Sequence, residues 1–312
     1  MPSNLLRRMR LSAAIIATVV ATFPSLSEAR EEGPVCIEMQ RKFETVKASI
    51  TAAELNLFLF NAAAKGCETV AGLTLERGAA LTARDREGNM ALARAADAGR
   101  IETTKFLIDK GSALDARNVN GATALYLAVE KDRTAVAHVL IDKGAPINLP
   151  GRSGVTPLAA AAYNGNTDLL DTLIARGADP KSLDGTGKTP AIYAAGRGWT
   201  QALGHLLAAG VDPNQRGGND LTALMWVAGH GDDVPDPQAA EAATLLLDHG
   251  AQVDAVDNRG KSALMIAAEQ GHAILAKLLV DHGANKGLRD KQGKSAADVA
   301  AIPAIRDDLA SQ

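Results

Sequence analysis

A fixed interval of 33 residues separates most of the recurring glycines in this chain. Counted between successive marks, the steps are 33, 33, 33, 33, 40 and 33 residues. A unit of this length cannot bury its apolar face alone, so neighbouring units must cover one another. The interval therefore predicts a stack of repeated units rather than a closed globule. The marks are Gly88, Gly121, Gly154, Gly187, Asp220, Gly260 and Gly293.

A hydroxyl residue follows most marks and precedes a short apolar run. Such a side chain accepts a hydrogen bond from the free N–H groups that begin a helix. Pro157 and Pro190 then stand at the first helical position, where a missing N–H has no consequence. The pattern predicts the first helix of each unit. The predicted caps are Thr123, Thr156, Thr189, Thr222, Ser262 and Ser295.

A second helix in each unit is predicted by a two-residue apolar step followed by glycine, as in Leu140-Ile141 before Gly144. Glycine ends helices readily because it adopts the left-handed conformation without a steric penalty. Turns of the form Asp-x-x-Gly then reverse the chain between units. Only 3% of residues are aromatic while 46% are hydrophobic, which suits closely packed small-residue helices.

This arrangement of helix, turn, helix and hairpin resembles the ankyrin repeat family over about residues 52–312. The resemblance implies an all-α repeat solenoid, with β-hairpin-like loops and about six to seven units plus terminal caps. Residues 30–51 are expected to form an N-terminal capping helix, and residues 52–312 the repeat domain. Its first repeat is degenerate, its last is truncated, and seven residues are inserted near 232–238.

One family feature is missing from the repeats. Ankyrin units usually carry histidine after Thr-Pro-Leu, where it bonds to the next repeat, and other residues occupy that position here. We therefore expect no polar ladder between the repeats, with apolar packing in its place. The residues at that position are Ala93, Tyr126, Ala159, Ile192, Met225 and Met265.

The N-terminus has the pattern of a secretory signal. Three arginines precede an apolar run of 13 residues, 11–23, which is too short for a comfortable membrane span. Ser27-Glu28-Ala29 fits a signal peptidase site, so residues 1–29 are predicted to be a signal peptide cleaved after Ala29. The mature protein would be periplasmic or secreted, without membrane contact. An uncleaved anchor is the alternative, and the twin-arginine signal pattern fits only weakly.

The chain has two cysteines, Cys36 and Cys67. Because export places them in an oxidising compartment, an even pair favours a disulfide bond. It would close a loop of roughly 30 residues and contribute on the order of 3 kcal/mol of stability. Two small buried thiols are the alternative.

The segment Gly187-Lys188-Thr189 matches the end of a phosphate-binding loop, Gly-x-x-x-x-Gly-Lys-[Ser/Thr]. The motif also needs a glycine five residues earlier, where Ser182 stands. A similar tripeptide recurs at residues 260–262 and 293–295, as a structural turn would. The tripeptide is therefore interpreted as a hairpin glycine, a variable residue and a helix cap, and no nucleotide or other cofactor is predicted.

Enzyme motifs are scarce in this sequence, which lacks Gly-x-Ser-x-Gly and His-Glu-x-x-His. One metal-like group exists, His230 with Asp232, Asp233 and Asp236. Imidazole and carboxylates could hold a divalent ion there, but a flexible acidic loop is the favoured interpretation. No catalytic residue and no metal site are therefore predicted.

Aromatic residues are few, yet three fall on the predicted first helices of consecutive repeats: Tyr163, Tyr193 and Trp226. Such residues often anchor interfaces, although packing between repeats is an equally good explanation. Arg117, Arg152 and Arg216 lie at or near the hairpin tips, where a solvated face is the favoured interpretation and steering of an acidic partner the alternative. Arg197 is a further candidate for partner contact because its repeat position usually varies and faces outward.

The family resemblance and the missing enzyme motifs together predict a non-catalytic scaffold. It would bind a protein partner of unknown identity on the concave face of the repeats. A formal net charge of −3 gives no general reason to expect nucleic acid. Two alternatives stay open: a secreted effector acting on host proteins, and a metal-dependent protein using the loop at residues 229–238.

Overall fold

The structure is a computed structural model that describes residues 33–231 and 234–310. These residues form seventeen α-helices and two short 3₁₀ turns, and within them no extended strand is found. The predicted signal peptide, and Asp232 and Asp233 of the inserted loop, lie outside the described residues. Among the helices described, none has the length and apolar character needed to cross a membrane.

The helices after α1 (Pro34–Val46) alternate between two rows. Each helix packs against its partner in the same unit and against the next helix of its own row. The first row contains α2 (Ala52–Lys65), α4 (Ala91–Asp97), α6 (Ala124–Glu130), α8 (Pro157–Asn164), α10 (Pro190–Gly196), α12 (Ala223–Ala228), α14 (Ala263–Gln270) and α16 (Ala296–Val299). The second row contains α3 (Glu68–Glu76), α5 (Ile101–Asp109), α7 (Thr134–Asp142), α9 (Thr167–Ala175), α11 (Thr200–Ala208), α13 (Asp236–Asp248), α15 (Ala273–Asp281) and α17 (Pro303–Ala310). The all-helical solenoid predicted from the sequence is confirmed.

The predicted helix caps are also confirmed. Each of the six hydroxyl side chains accepts a hydrogen bond from the backbone N–H three residues later, as Thr189 does from Ile192 at 3.1 Å. Each such bond stabilises a helix by about 1 kcal/mol. Because the caps recur in the six consecutive units from α6 to α16, the first helices of these units begin in the same register, whereas α4 begins at Met90 without a side-chain cap.

One continuous core runs through the stack, formed mainly by alanines of the first row and leucines of the second. Leu140, Leu170 and Leu206 are fully buried, each contributing about 1.5–3 kcal/mol of apolar transfer. The position that usually carries the family's histidine is also buried in every full unit. Its residues are Ala93, Tyr126, Ala159, Ile192, Met225 and Met265.

The expectation that no polar ladder joins the repeats is wrong. A ladder exists at another position, the residue just before the second helix, in five of the units. Its side chain reaches back to the preceding unit, where it bonds a carbonyl or a side chain at the end of the first helix or just after it. The pairs are Arg100 with Ala64, Arg133 with Asp97, Asn166 with Asp132, Trp199 with Tyr163, and His272 with His230. Different chemistry at one repeat position hid this ladder in the sequence.

A second ladder joins the tips of consecutive hairpins through the backbone. At five of the six steps between consecutive hairpins, one N–H donates to a carbonyl of the previous tip, at 2.7–3.1 Å. We call these five bonds the hairpin ladder. They run from Val119 to Glu87, Gly185 to Ser153, Gly218 to Gly187, Asn258 to Asn219, and Lys291 to Arg259.

The glycine marks permit this close approach. Gly187 has φ +81°, a left-handed conformation that side chains disfavour. Asp220, which replaces glycine at its mark, adopts the same region with φ +60°. Aspartate is one of the few residues that tolerate this conformation. Gly187 and the cap Thr189 therefore have structural roles, as the rejection of a phosphate loop predicts.

The N-terminal end of the stack is covered by α1. The predicted disulfide between Cys36 and Cys67 is present, and it ties α1 to the turn between α2 and α3. Phe43 on α1 is fully buried and meets the ring of Phe58 edge to face, with centroids 5.4 Å apart. Helix α1 therefore covers apolar surface of the first unit, which has no preceding repeat.

Candidate partner-binding surface

Three consecutive helices of the first row, α8, α10 and α12, carry Tyr163, Tyr193 and Trp226. Tyr193 and Trp226 are 33 residues apart and so occupy the same place in adjacent units. Tyr163 lies one helical turn beyond that place, on the same face. We call these three residues the aromatic strip.

Contacts within the aromatic strip are direct. The rings of Tyr163 and Tyr193 meet edge to face, with centroids 6.0 Å apart. The side chain of Tyr163 is 47% exposed, and those of Tyr193 and Trp226 are half-buried. Packing between repeats therefore accounts for only part of each ring, and the rest faces solvent.

Lys188 lies against the rings of both Tyr193 and Trp226. Its Nζ lies 5.5 Å from the ring centroid of Tyr193 and 4.6 Å from that of Trp226. Cation–π contacts of this kind are worth about 0.5–1 kcal/mol at exposed sites. Sequence reasoning treated Lys188 as a variable residue, although its place beside the helix that carries Tyr193 was the available signal.

Arg197, a residue predicted from the sequence, lies at the opposite end of α10 from Lys188. Its guanidinium carbon is 5.1 Å from the ring centroid of Tyr163. The strip is therefore flanked by two cations that contact its rings. An apolar surface with cations beside it suits a partner that offers apolar and acidic groups together.

A buried carboxylate fixes the orientation of Tyr193. The Tyr193 hydroxyl donates a hydrogen bond to the Asp184 carboxylate at 2.5 Å, and the backbone N–H groups of Thr186 and Lys188 donate to the same carboxylate. Burial and the Asp184 charge raise the pKa of Tyr193. Burial would also raise the pKa of Asp184, but these hydrogen bonds outweigh it and lower that pKa. Tyr193 is thus neutral and held in place at physiological pH.

Two of the other predicted arginines have a structural role at the hairpins. Arg117 donates to the carbonyls of Gly121, at 2.7 Å, and Pro150, at 3.0 Å. Arg216, three repeats later at the same position, donates to Val256 at 2.8 Å. Both side chains are exposed, but their guanidinium groups bridge consecutive hairpins. Exposed Arg152 begins a short 3₁₀ turn at another hairpin.

Two members of the metal-like group noted in the sequence, His230 and Asp236, lie in the described part of the chain and belong to one polar cluster. His230 is buried and contacts Asp236 and also His272, which belongs to the next unit. The metal-like group named from the sequence did not include His272, which lies 42 positions after His230.

Paired helices, hairpin ladder and shared core define a helical repeat solenoid of the kind that presents an extended binding surface. Comparison with known families agrees. A model described as ankyrin repeats in three copies matches residues 59–150, 158–236, 199–290 and 236–304, and one described as ankyrin repeats in many copies matches residues 127–174. The chain belongs to the ankyrin repeat family. Ankyrin repeats mediate protein binding, so its class is that of a protein–protein interaction scaffold.

Proposed function

We propose that this protein is an exported, non-catalytic scaffold that binds a protein partner through the aromatic strip. The observation that carries the proposal is the alignment of Tyr163, Tyr193 and Trp226 across three consecutive repeats, with Lys188 and Arg197 against their rings. Large aromatic side chains of this kind are enriched among the residues that dominate binding energy.

Preorganisation strengthens this proposal. Tyr193 is held by Asp184, and Lys188 lies against both Tyr193 and Trp226, so these side chains need little further ordering when a partner binds. The partner is proposed to carry an apolar anchor next to carboxylates, which would meet the rings and the two cations. Because both cations are partly exposed, their effect should be mainly on the rate of association and its salt dependence.

Export is the second part of the proposal. The basic start, apolar run and small-residue cleavage pattern of residues 1–29 support it, as does the Cys36–Cys67 disulfide, since disulfides persist in oxidising compartments. Fractionation of the producing cell should recover a chain beginning at Arg30 in the periplasm. Recovery from the medium or a host cell would instead favour a secreted effector, and a full-length cytosolic chain would contradict export.

Binding by the strip is tested with the double substitution Tyr193→Ala/Trp226→Ala. Partners captured from a periplasmic extract by the wild-type protein are identified, and the affinity of each purified partner is then measured. Loss of a single hot-spot residue costs at least about 2 kcal/mol of binding free energy, which corresponds to about a 30-fold weaker affinity. Loss of both aromatic residues is therefore expected to weaken binding at least about 30-fold.

The matched control is Ile274→Ala, which removes an exposed apolar side chain from α15 in the second row. This variant should bind like the wild type. Circular dichroism and thermal melting establish that the double variant is folded. Equal affinity of the folded double variant and the control would exclude the aromatic strip as the binding surface.

A further inference from the structure

The inserted unit brings together two histidines and an aspartate from different parts of the stack. His230 follows α12, Asp236 begins α13, and His272 immediately precedes α15 of the next unit. We propose that these three residues bind a divalent transition-metal ion of the zinc type. This function is separate from the partner binding proposed for the aromatic strip.

The ligand atoms converge on one point. His230 Nε2 lies 3.4 Å from an oxygen of Asp236, and His272 Nδ1 lies 3.7 Å from the same oxygen. The two nitrogens are 2.5 Å apart, and all three ligand atoms lie within 4.8 Å of one another.

Zinc coordination requires only a small adjustment of this arrangement. With bonds of about 2.0–2.1 Å and tetrahedral angles, ligand atoms are about 3.3 Å apart. The separations to Asp236 are already close to this value. The nitrogens of His230 and His272, 2.5 Å apart, would have to separate by about 0.8 Å, which small ring rotations can supply.

The donor types indicate which ions fit. Two imidazoles and one carboxylate match the set of two histidines and one glutamate that holds catalytic zinc in some enzymes. Imidazole also suits copper, nickel and iron, whereas calcium and magnesium prefer oxygen ligands throughout. The site is therefore expected to bind Zn²⁺ strongly and Mg²⁺ weakly.

Hydrogen bonding prepares His230 to act as a ligand. Its Nδ1 lies 3.1 Å from the carbonyl oxygen of Gly231, so Nδ1 is the protonated nitrogen and Nε2 presents its lone pair to the cluster. His272 then donates from Nδ1 to His230. Neutral His272 can bind a metal through Nδ1 once its proton moves to Nε2, a change of tautomer without a change of charge.

The two histidines are shielded from water, while Asp236 leaves one side of the site open to solvent. The side chains of His230 and His272 are 3% and 12% exposed, whereas that of Asp236 is 45% exposed. Ligand nitrogens shielded from water compete less with solvent, and the exposed carboxylate gives an ion access. A fourth ligand could come from water at this side. The metal would tie two neighbouring units together close to the end of α12.

The test is titration of the purified chain, residues 30–312, with Zn²⁺ at neutral pH, followed by calorimetry. One ion per chain is expected. Since loss of a second-shell partner alone lowers metal affinity about 10–100-fold, His272→Gln and Asp236→Asn are expected to weaken binding at least about 100-fold. Substitution with Co²⁺ should give the visible bands of a four-coordinate ion, a signal that needs no enzymatic activity.

The matched control is His205→Gln. His205 also pairs with an aspartate, Asp171, at 2.7 Å, but it belongs to a two-residue pair on an exposed surface. This variant should bind Zn²⁺ like the wild type, and melting curves in a chelator should show all variants folded. Absence of stoichiometric binding to the wild type, or equal binding by His205→Gln and His272→Gln, would overturn the proposal.

Discussion

The double substitution Cys36→Ala/Cys67→Ala is expected to lower the free energy of unfolding of the N-terminal cap by about 3 to 4 kcal/mol. The disulfide joins residues 31 positions apart, so its loss frees a long loop in the unfolded chain. Because each unit of a solenoid contacts only its neighbours, the loss should be local. Hydrogen exchange in α1 and α2 should accelerate, with little change beyond α5.

Reduction of the wild-type protein provides the control for this prediction. Dithiothreitol should reproduce the effect of the double substitution in urea denaturation followed by circular dichroism, and should leave the double variant unchanged. Both cysteines are buried, so the substitution removes the S–S bond and also packed sulfur atoms, whereas reduction removes only the bond. The same loss of stability in both experiments therefore shows that the bond is responsible. An unchanged cap in both experiments would show that α1 is held by apolar contacts such as those of Phe43 alone.

The second large effect is expected for Gly187→Ala, which should lower the free energy of unfolding by about 3 kcal/mol. A left-handed alanine costs about 1–2 kcal/mol, and overpacking adds about 1–3 kcal/mol. The overpacking arises because a Cβ at residue 187 would lie 2.5 Å from the backbone nitrogen of Gly218 in the next hairpin. Chemical denaturation of the variant and the wild type measures the difference.

Gly177→Ala is the matched control. Gly177 has φ +88°, close to the +81° of Gly187, but a Cβ there would meet no heavy atom within 4 Å. This variant should therefore lose only the conformational part, about 1–2 kcal/mol. Equal losses in the two variants would mean that the hairpins of consecutive units do not approach as closely as described.

The regular parts of the fold were predictable because they depend on local chemistry repeated at a fixed interval. A hydroxyl before an apolar run caps a helix whatever follows, so Thr123 and Ser262 could be assigned without coordinates. The alignment of Tyr193 with Trp226 follows from the 33-residue interval, and that of Tyr163 from one helical turn.

Contacts between units were harder to predict because they join residues of different types. The polar ladder uses arginine, asparagine, tryptophan and histidine at one position, so a search for a repeated residue misses it. The approach of His272 to His230 was hidden in addition by the 40-residue step, which displaces the register. Arg117 and Arg216 share a repeat position, and that identity was an available signal of their structural role.

Contacts across the hairpin ladder test the stacking of units most directly. In the nuclear Overhauser spectrum of the labelled protein, the donor amide protons should show cross-peaks to residues in the preceding unit, 31–39 positions earlier in the sequence. Cross-peaks across all five bonds of the hairpin ladder are the expected result. Cross-peaks confined to single units would contradict a continuous stack. The donors are Val119, Gly185, Gly218, Asn258 and Lys291.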